Sequence, residues 1–401
     1  MRFLMVCMQY PTGPGQSYMT TELADALVAA GHGVEVLHLD WSGAADGPTE
    51  VFTTASGVRV ARCPPGKARG LGGRAGEAGK FVLSGVRAAK AARAHLDLSS
   101  FDVLIAWMPA IAIAPLVGMA ERAGIDRRLL FIWDFFPDHH REIGRIPGGW
   151  PYWIARAWEQ RLLARFTTII CTLPGNADYL RRNYRLGPEQ RVLVTPIWSN
   201  TAPLPPADRP GLRRRHRLPE DRPIAVFGGQ LVEGRGFEQM LDAAKAMDAA
   251  GSFLLFLFVG DGRLAPMIQA HAAARSNLAW RPPLSRDTYL ELLGACDVGM
   301  AVTVPGVTSF SIPTKTIDYL RAGLPVIAAV EAGSDFVAIL ERYGVGRAVG
   351  FGDPIGFGQA AERLATDPVL RAEVHRAAPI CLDAVFDVRH ALATVLEAAG
   401  A

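Results

Sequence analysis

The residues best suited to chemistry lie in Ser309-Phe310-Ser311-Ile312-Pro313-Thr314-Lys315-Thr316-Ile317-Asp318-Tyr319-Leu320, which runs on into Arg321-Ala322-Gly323-Leu324-Pro325-Val326-Ile327-Ala328. The order reads as loop, short helix, tight turn and buried strand. Pro313 suits the first turn of a helix, where a missing N–H costs nothing. Gly323 suits the position just past the helix end, and Pro325 stops any continuation. A helix start offers free N–H groups to an anion, and Lys315 adds positive charge at the same place. Asp318 follows at i+3 from Lys315 and i+4 from Thr314, so the three share a face. An anion cradle, a cation and a carboxylate one turn deeper fit a nucleoside diphosphate. The phosphates would sit at the helix tip, near Ser311, Ile312 and Thr314, with the ribose hydroxyls on Asp318. An ordinary helix with a solvated lysine is the plain alternative.

Four other segments carry candidate groups. Gly228-Gly229-Gln230-Leu231-Val232-Glu233-Gly234-Arg235-Gly236-Phe237 follows an apolar run. Its glycines allow close backbone approach to a ligand, and Arg235 stands where a helix begins, so charge and helix dipole act on one anion. Gly260-Asp261-Gly262 reads as a tight turn, with Asp261 capping the next helix. Tyr10-Pro11-Thr12-Gly13-Pro14-Gly15-Gln16-Ser17 is glycine-rich but lacks the Gly-Lys-Ser/Thr of a phosphate-binding P-loop. Phe131-Ile132-Trp133-Asp134-Phe135-Phe136-Pro137-Asp138-His139-His140-Arg141-Glu142 places a polar cluster after a strand, where open α/β sheets bind ligands. Capping and packing roles are the plain reading of that cluster.

The segment Pro313-Thr314-Lys315-Thr316-Ile317-Asp318-Tyr319, with Gly323-Leu324-Pro325-Val326-Ile327-Ala328, resembles the donor-binding segment of the family 4 retaining glycosyltransferases of GT-B fold. That family's usual form is Pro-x-Lys-x-x-Glu-Tyr ending in Gly-x-Pro-Val-Ile-Ala. Asp318 stands in place of the usual glutamate, and Phe310 in place of an acid often found eight positions upstream. The run from Gly228 is similar to the family's Gly-Arg-Leu-x-x-x-Lys-Gly, with Gln230 for the first cation and Arg235 for the second. The resemblance implies that Arg235 and Lys315 hold the pyrophosphate and stabilise the leaving phosphate, which itself takes the acceptor proton. It implies that Gly229, Gln230, Pro283 and Leu284 line the donor site, the last two in a loop that presents backbone to the base. It also implies that Gly13, Gly15, Asp134, Asp138 and His139 face the acceptor, with Asp134 orienting its hydroxyl. Arg235, Lys315 and Asp134 are thus the expected catalytic residues.

With 401 residues the chain has room for two substantial domains. Half of its residues are hydrophobic and 20% are charged, which fits a globular protein rather than a disordered one. A net charge of +3 gives no case for nucleic acid. The five cysteines, Cys7, Cys63, Cys171, Cys296 and Cys381, have neither disulfide nor metal spacing, so reduced core residues in a cytoplasmic protein are expected. The uncharged run Val103–Ala120 approaches membrane-span length but is broken by Pro109 and Pro115.

Strand-length apolar runs alternate with helix-length segments. Those at Phe3–Met8, Val34–Leu39, Val103–Ala106, Leu129–Ile132, Ile169–Thr172 and Val192–Thr195 belong to a first half. Those at Ile224–Phe227, Phe253–Val259, Leu278–Trp280, Val298–Val302 and Val326–Val330 belong to a second. Near-continuous apolar strands imply parallel sheets covered on both faces. The proline-rich run Thr201–Pro210 breaks the pattern. The expected fold is therefore α/β, with two Rossmann-like, doubly wound domains facing a cleft. Residues 1–200 would bind the acceptor and residues 201–384 the nucleotide-sugar donor, with a helix at about 385–401 returning to the first domain.

The expected function is a retaining transfer of a hexosyl or N-acetylhexosaminyl group from a nucleoside-diphosphate sugar to a hydroxyl acceptor such as a lipid-linked or cell-envelope glycan precursor. No cofactor is expected beyond the substrate nucleotide-sugar, a UDP-sugar being favoured, and no metal. A sugar-nucleotide 2-epimerase and a non-catalytic sugar-nucleotide binder are the alternatives. Arg62, Lys67, Arg69, Arg74, Lys80, Arg87, Lys90 and Arg93, together with Trp150, Tyr152, Trp153 and Trp158 beside Arg156, Arg161 and Arg165, suit peripheral contact with an anionic membrane at its inner face. A solvated basic face beside a core helix is the other reading of that region.

Overall fold

The computed structural model describes residues 1–11, 13, 17–41, 46–66, 73–144, 146, 148–205, 208–306, 312–331 and 334–400, with 73–78, 80 and 81 described by backbone alone. Two compact units emerge: Met1–Ser199 with Val388–Ala401, and Asn200–Thr308 with Ile312–Asp387.

The first unit begins β1 (Arg2–Cys7), α1 (Met19–Ala29), β2 (Gly33–Leu39), β3 (Glu50–Thr53), β4 (Arg59–Cys63), α2 (Gly73–His95) and β5 (Val103–Trp107). It continues with α3 (Ala114–Arg122), β6 (Arg127–Ile132), α4 (Asp138–Glu142), α5 (Trp150–Leu163), β7 (Thr168–Cys171), α6 (Pro174–Asn183) and β8 (Arg191–Val194). The strands order as β3-β4-β2-β1-β5-β6-β7-β8, with only β3 antiparallel to its neighbour. Strands β5 and β7 are buried at every position. That is why they read as continuous apolar runs: helices cover both faces of the sheet.

The second unit holds α7 (Arg209–Arg215), β9 (Ile224–Gly228), α8 (Phe237–Ala249), β10 (Leu255–Val259), α9 (Ala265–Ala274), β11 (Leu278–Arg281), α10 (Arg286–Gly294) and β12 (Val298–Val302). Then come α11 (Lys315–Arg321), β13 (Val326–Ala329), α12 (Asp335–Tyr343), β14 (Gly346–Val349), α13 (Pro354–Thr366) and α14 (Pro368–Cys381). Its parallel sheet orders as β11-β10-β9-β12-β13-β14. Strand order reverses around β9, where the crevice of a doubly wound sheet opens. The final helix, α15 (Val388–Ala399), packs on the first unit, burying Ala391, Val395 and Ala399, and Glu397 pairs with Arg191 at 2.5 Å.

Several sequence expectations need correction. Strand β10 starts at Leu255, not Phe253; Phe253 is exposed, and its carbonyl accepts from Arg222 Nε at 2.8 Å. The hairpin β3–β4, the edge strand β14 and the helices α12 to α14 are additions to the sequence reading. Val103–Ala120 divides into β5, a short 3₁₀ turn Ala110–Ile113 and α3. None of the described helices is long and apolar enough to cross a membrane.

Candidate functional site

In the second unit three loops meet at the carboxyl edge of the sheet. The loop after β9 bonds to the one after β10: Gly229 N–H donates to Val259 O at 3.0 Å and Leu231 N–H to Asp261 O at 2.9 Å. Gly260 N–H donates to Arg281 O at 3.0 Å, joining the loop after β11. Gly260 has φ +145°, and a side chain there would run into the Gly229 carbonyl, so this close approach requires glycine. The tight turn thus stands, but Asp261 does not cap α9. Its carboxylate accepts from the adjacent Gly262 N–H at 2.7 Å, and the residue before α9 is Leu264.

Lys315 opens α11. Its ammonium lies 3.4 Å from the centroid of the Phe227 ring, which comes from β9. A methyl group on Gly229 would sit 3.9 Å from Lys315 Nζ. Burial first, then the charge of Arg235, hold the Lys315 pKa well below its ordinary value. Arg235 is exposed and stands just before α8. Gly229, Lys315 and Arg235 therefore share one place, with two cations that pair with no carboxylate among the described residues. Such an arrangement is short of one thing, an anion.

The rest of the expected helix-tip geometry differs. Helix α11 has seven residues, and Pro313 lies outside it, before the capping residue Thr314. The N–H groups of Thr316 and Ile317 are already bonded, to Pro313 O at 2.9 Å and Thr314 O at 3.2 Å. The charge on an incoming phosphate thus falls to the two side chains more than to the helix end. Thr314 is exposed and Ile312 buried.

Asp318 is not the open carboxylate expected for ribose. Arg286, the first residue of α10, grips it with both terminal nitrogens: Nη1 to Oδ2 at 2.6 Å and Nη2 to Oδ1 at 2.6 Å. Arg321 adds a contact at 3.7 Å. Gln230 and Pro283 are exposed in their loops and Leu284 is half-buried. Ser311, Gly15 and Phe310 lie outside the described residues, as do Lys67 and Arg69.

In the first unit Asp134 is exposed just beyond β6. Gly13 falls in a bend after β1. Asp138, expected to meet acceptor, is instead a buried node. Oδ1 accepts from Tyr152 at 2.7 Å, Oδ2 from Tyr179 at 2.9 Å and from Tyr184 at 3.3 Å, and Arg156 Nε stands 3.2 Å away. Burial, then this carboxylate, raise the phenol pKa of all three tyrosines. His139 is half-buried, and its Nδ1 has no partner among the described residues. No group of three metal-ligating side chains gathers among the described residues.

The sequence reading missed an aromatic cluster at the same edge. Trp107 stacks on Phe131 at 5.3 Å, and Trp133 meets Tyr18, Trp107 and Trp198 at centroid separations of 5.7, 5.7 and 6.4 Å. The Nε1 groups of Trp107 and Trp133 are buried without a partner among the described residues. Only the placement of Trp107 and Trp133 at strand ends signalled this in the sequence.

Residues 14–198 match the family model described as a glycosyl transferase 4-like domain. A protein named as a probable glycosyltransferase, WbjE of Pseudomonas aeruginosa, is 26% identical over 168 residues, 40% of this chain and 40% of its own length. WcaI of Escherichia coli K12, named for colanic acid biosynthesis, is 24% identical over 251 residues, 60% of each chain. The matches therefore span less than two thirds of either relative. WaaG, described as a glycosyltransferase involved in lipopolysaccharide biosynthesis, has a solved structure similar at TM-score 0.68 and 15% identity, covering 100% of both chains. With its two sheets, parallel but for β3, and this likeness across its length, the chain has the GT-B fold, as its sequence motifs implied, and residues 14–198 are similar to the glycosyl transferase 4-like domain.

Proposed function

We propose that this protein is a glycosyltransferase that moves a hexosyl or N-acetylhexosaminyl group from a nucleoside-diphosphate sugar to a hydroxyl acceptor, with retention and without a metal. The observation that carries the reading is the pair Lys315 and Arg235 beside Gly229, two carboxylate-free cations at the carboxyl end of β9. Preorganised positive charge of this kind stabilises a departing diphosphate. The leaving phosphate, held there, takes the acceptor proton on the face from which it departs.

The second unit would bind donor and the first acceptor, with Asp134 and the Trp107–Trp133 cluster as its acceptor-facing groups. The names of WcaI, for colanic acid biosynthesis, and WaaG, for lipopolysaccharide biosynthesis, support a cell-envelope glycan precursor as acceptor. A UDP-sugar is the favoured donor. Asp138 is consumed by its tyrosines and Arg156, which removes one carboxylate that an epimerase would need.

A transfer assay tests the reading. UDP-glucose, UDP-galactose and UDP-N-acetylglucosamine would be incubated with extracted envelope lipid carriers and a chelator. Product with the donor's anomeric configuration, read by NMR, is expected. Conversion of donor alone to a 2-epimer would overturn it, as would binding without turnover across donors and acceptors.

A further inference from the structure

At the opposite end of the second unit's sheet, a cavity of about 420 Å³ opens beside the residues that precede β12 and β13. Its size falls within the range of small-molecule pockets, roughly 300–1,000 Å³. Arg209, Arg371 and His375 line it, and no carboxylate belongs to its lining. Gly294 ends α10 and Gly323 follows α11, so both lend the cavity wall backbone without side chain. The His375 ring lies over Gly323, its Nδ1 2.6 Å from where a Cβ would stand.

The charge behind this wall is unbalanced. Three arginines converge on the single buried carboxylate of Asp297: Arg209 Nη2 at 2.6 Å, Arg213 Nη2 at 2.6 Å and Arg371 Nη1 at 3.5 Å. Asp297 also accepts from Ile224 N–H at 2.9 Å. Arg213 is saturated, since it donates to Ala295 O and Glu220 O as well. Arg209 and Arg371 are not: Arg209 Nη2 also donates to Cys296 O, but among the described residues its buried Nε has no partner and the Arg371 side chain has only the long contact. Two carboxylates close in sequence are spent on helix caps: Asp208 accepts from Gly211 N–H, and Asp367 from the N–H groups of Val369 and Leu370. Arg209 and Arg371 are half-buried, and like charges that outnumber their one buried counter-ion favour a bound anion.

We propose that this cavity is a second ligand site, for a small phosphate-bearing anion, distinct from the Lys315 cluster. Arg209 and Arg371 bind the phosphate oxygens and His375 closes over them. The wall is built from the carboxyl ends of α10 and α11, whose first residues are Arg286 and Lys315. A ligand here is therefore one seven-residue helix away from the candidate donor site.

Calorimetric titration with inorganic phosphate and, separately, glucose 1-phosphate tests the site in wild type, Arg371→Ala, His375→Ala and Lys315→Ala proteins. Saturable binding of at least one probe in the millimolar range or tighter is expected, equally in wild type and Lys315→Ala. Arg371→Ala should weaken it by about tenfold or more. Exposed His375 gives a second variant should Arg371→Ala fail to fold. Tighter binding of glucose 1-phosphate would identify a phosphate monoester as the natural class, and equal binding the free anion. No saturable binding of either probe up to about 20 mM, or binding lost in Lys315→Ala and kept in both cavity variants, would overturn the proposal.

Discussion

Lys315 is the residue on which the account turns. A lysine whose charged form is disfavoured by burial and by Arg235 has its pKa raised again when a diphosphate arrives. Nucleotide binding should therefore take up protons, and affinity should fall as pH rises through the lysine's depressed pKa. Calorimetry in two buffers of different ionisation enthalpy measures this directly; equal apparent enthalpies in both would contradict it. Asp318 and Asp138 make the opposite point, that a carboxylate in a promising motif can be structural. Replacing Asp138 by Ala strands Arg156 and three phenols in the interior, a loss of about 3–5 kcal/mol by analogy with broken buried pairs. Urea denaturation at neutral pH should reveal that loss, and an unchanged midpoint would return Asp138 to the list of acceptor-facing residues. The strand ends and glycine turns that carry Lys315, Arg235 and Gly229 were legible as local signals, and the family resemblance implied that the three belong together. It did not show that Arg286 occupies Asp318 or that three tyrosines occupy Asp138, because those partners are brought in by tertiary packing from other helices.

Among the elements, α5 is the one whose surface asks for a partner. Trp150, Trp153, Ile154 and Trp158 are 76%, 63%, 56% and 49% exposed. Their spacing of i, i+3, i+4 and i+8 makes them one stripe on the helix. Of the seven accompanying basic residues whose side chains are described, four are engaged: Arg62 pairs with Glu50, Arg87 with Asp46, Arg156 with Asp138 and Arg165 with Glu121. Arg161, Lys90 and Arg93 remain exposed. Membrane contact, if this helix provides it, is thus driven by aromatic insertion more than by charge. Trp153→Ala combined with Trp158→Ala should abolish co-sedimentation with anionic vesicles while nucleotide affinity is unchanged; retained sedimentation would reassign the stripe.

The same helix holds Glu159, buried, accepting from Ala110 N–H at 2.7 Å and Ile111 N–H at 3.1 Å. Burial pushes its pKa from 4.5 up to about 7 despite those two bonds and Arg156. Its stabilising effect is full below the unfolded value and is lost as pH rises to about 7. His38, pushed down to about 4 by burial, acts in the other sense. The stability of wild type relative to Glu159→Gln should therefore fall between about pH 5 and about pH 7.5. A difference that stays flat would contradict that assignment.

For the whole molecule, the parallel strands were the legible part. Strands buried on both faces leave a continuous apolar run, and helices between them leave their spacing. Strands β3, β4 and β14 left weaker traces, being short and partly exposed. The returning helix α15 buries Ala391, Val395 and Ala399 on the unit where the chain began, so the chain's end is part of the first unit's core. Ending the chain at Asp387 should destabilise the first unit selectively. Hydrogen exchange would then speed up in α1 and β6 but not in β9 or β12; uniform exchange would deny that role.

The most direct measurement is calorimetric titration of UDP, GDP, ADP and dTDP into wild type and Lys315→Ala proteins. One nucleotide should bind at about micromolar level, and the variant should bind it about tenfold or more weakly. Failure of all four to bind, or binding of one with the same affinity in both proteins, would contradict the donor site at Lys315 and the transferase reading built on it.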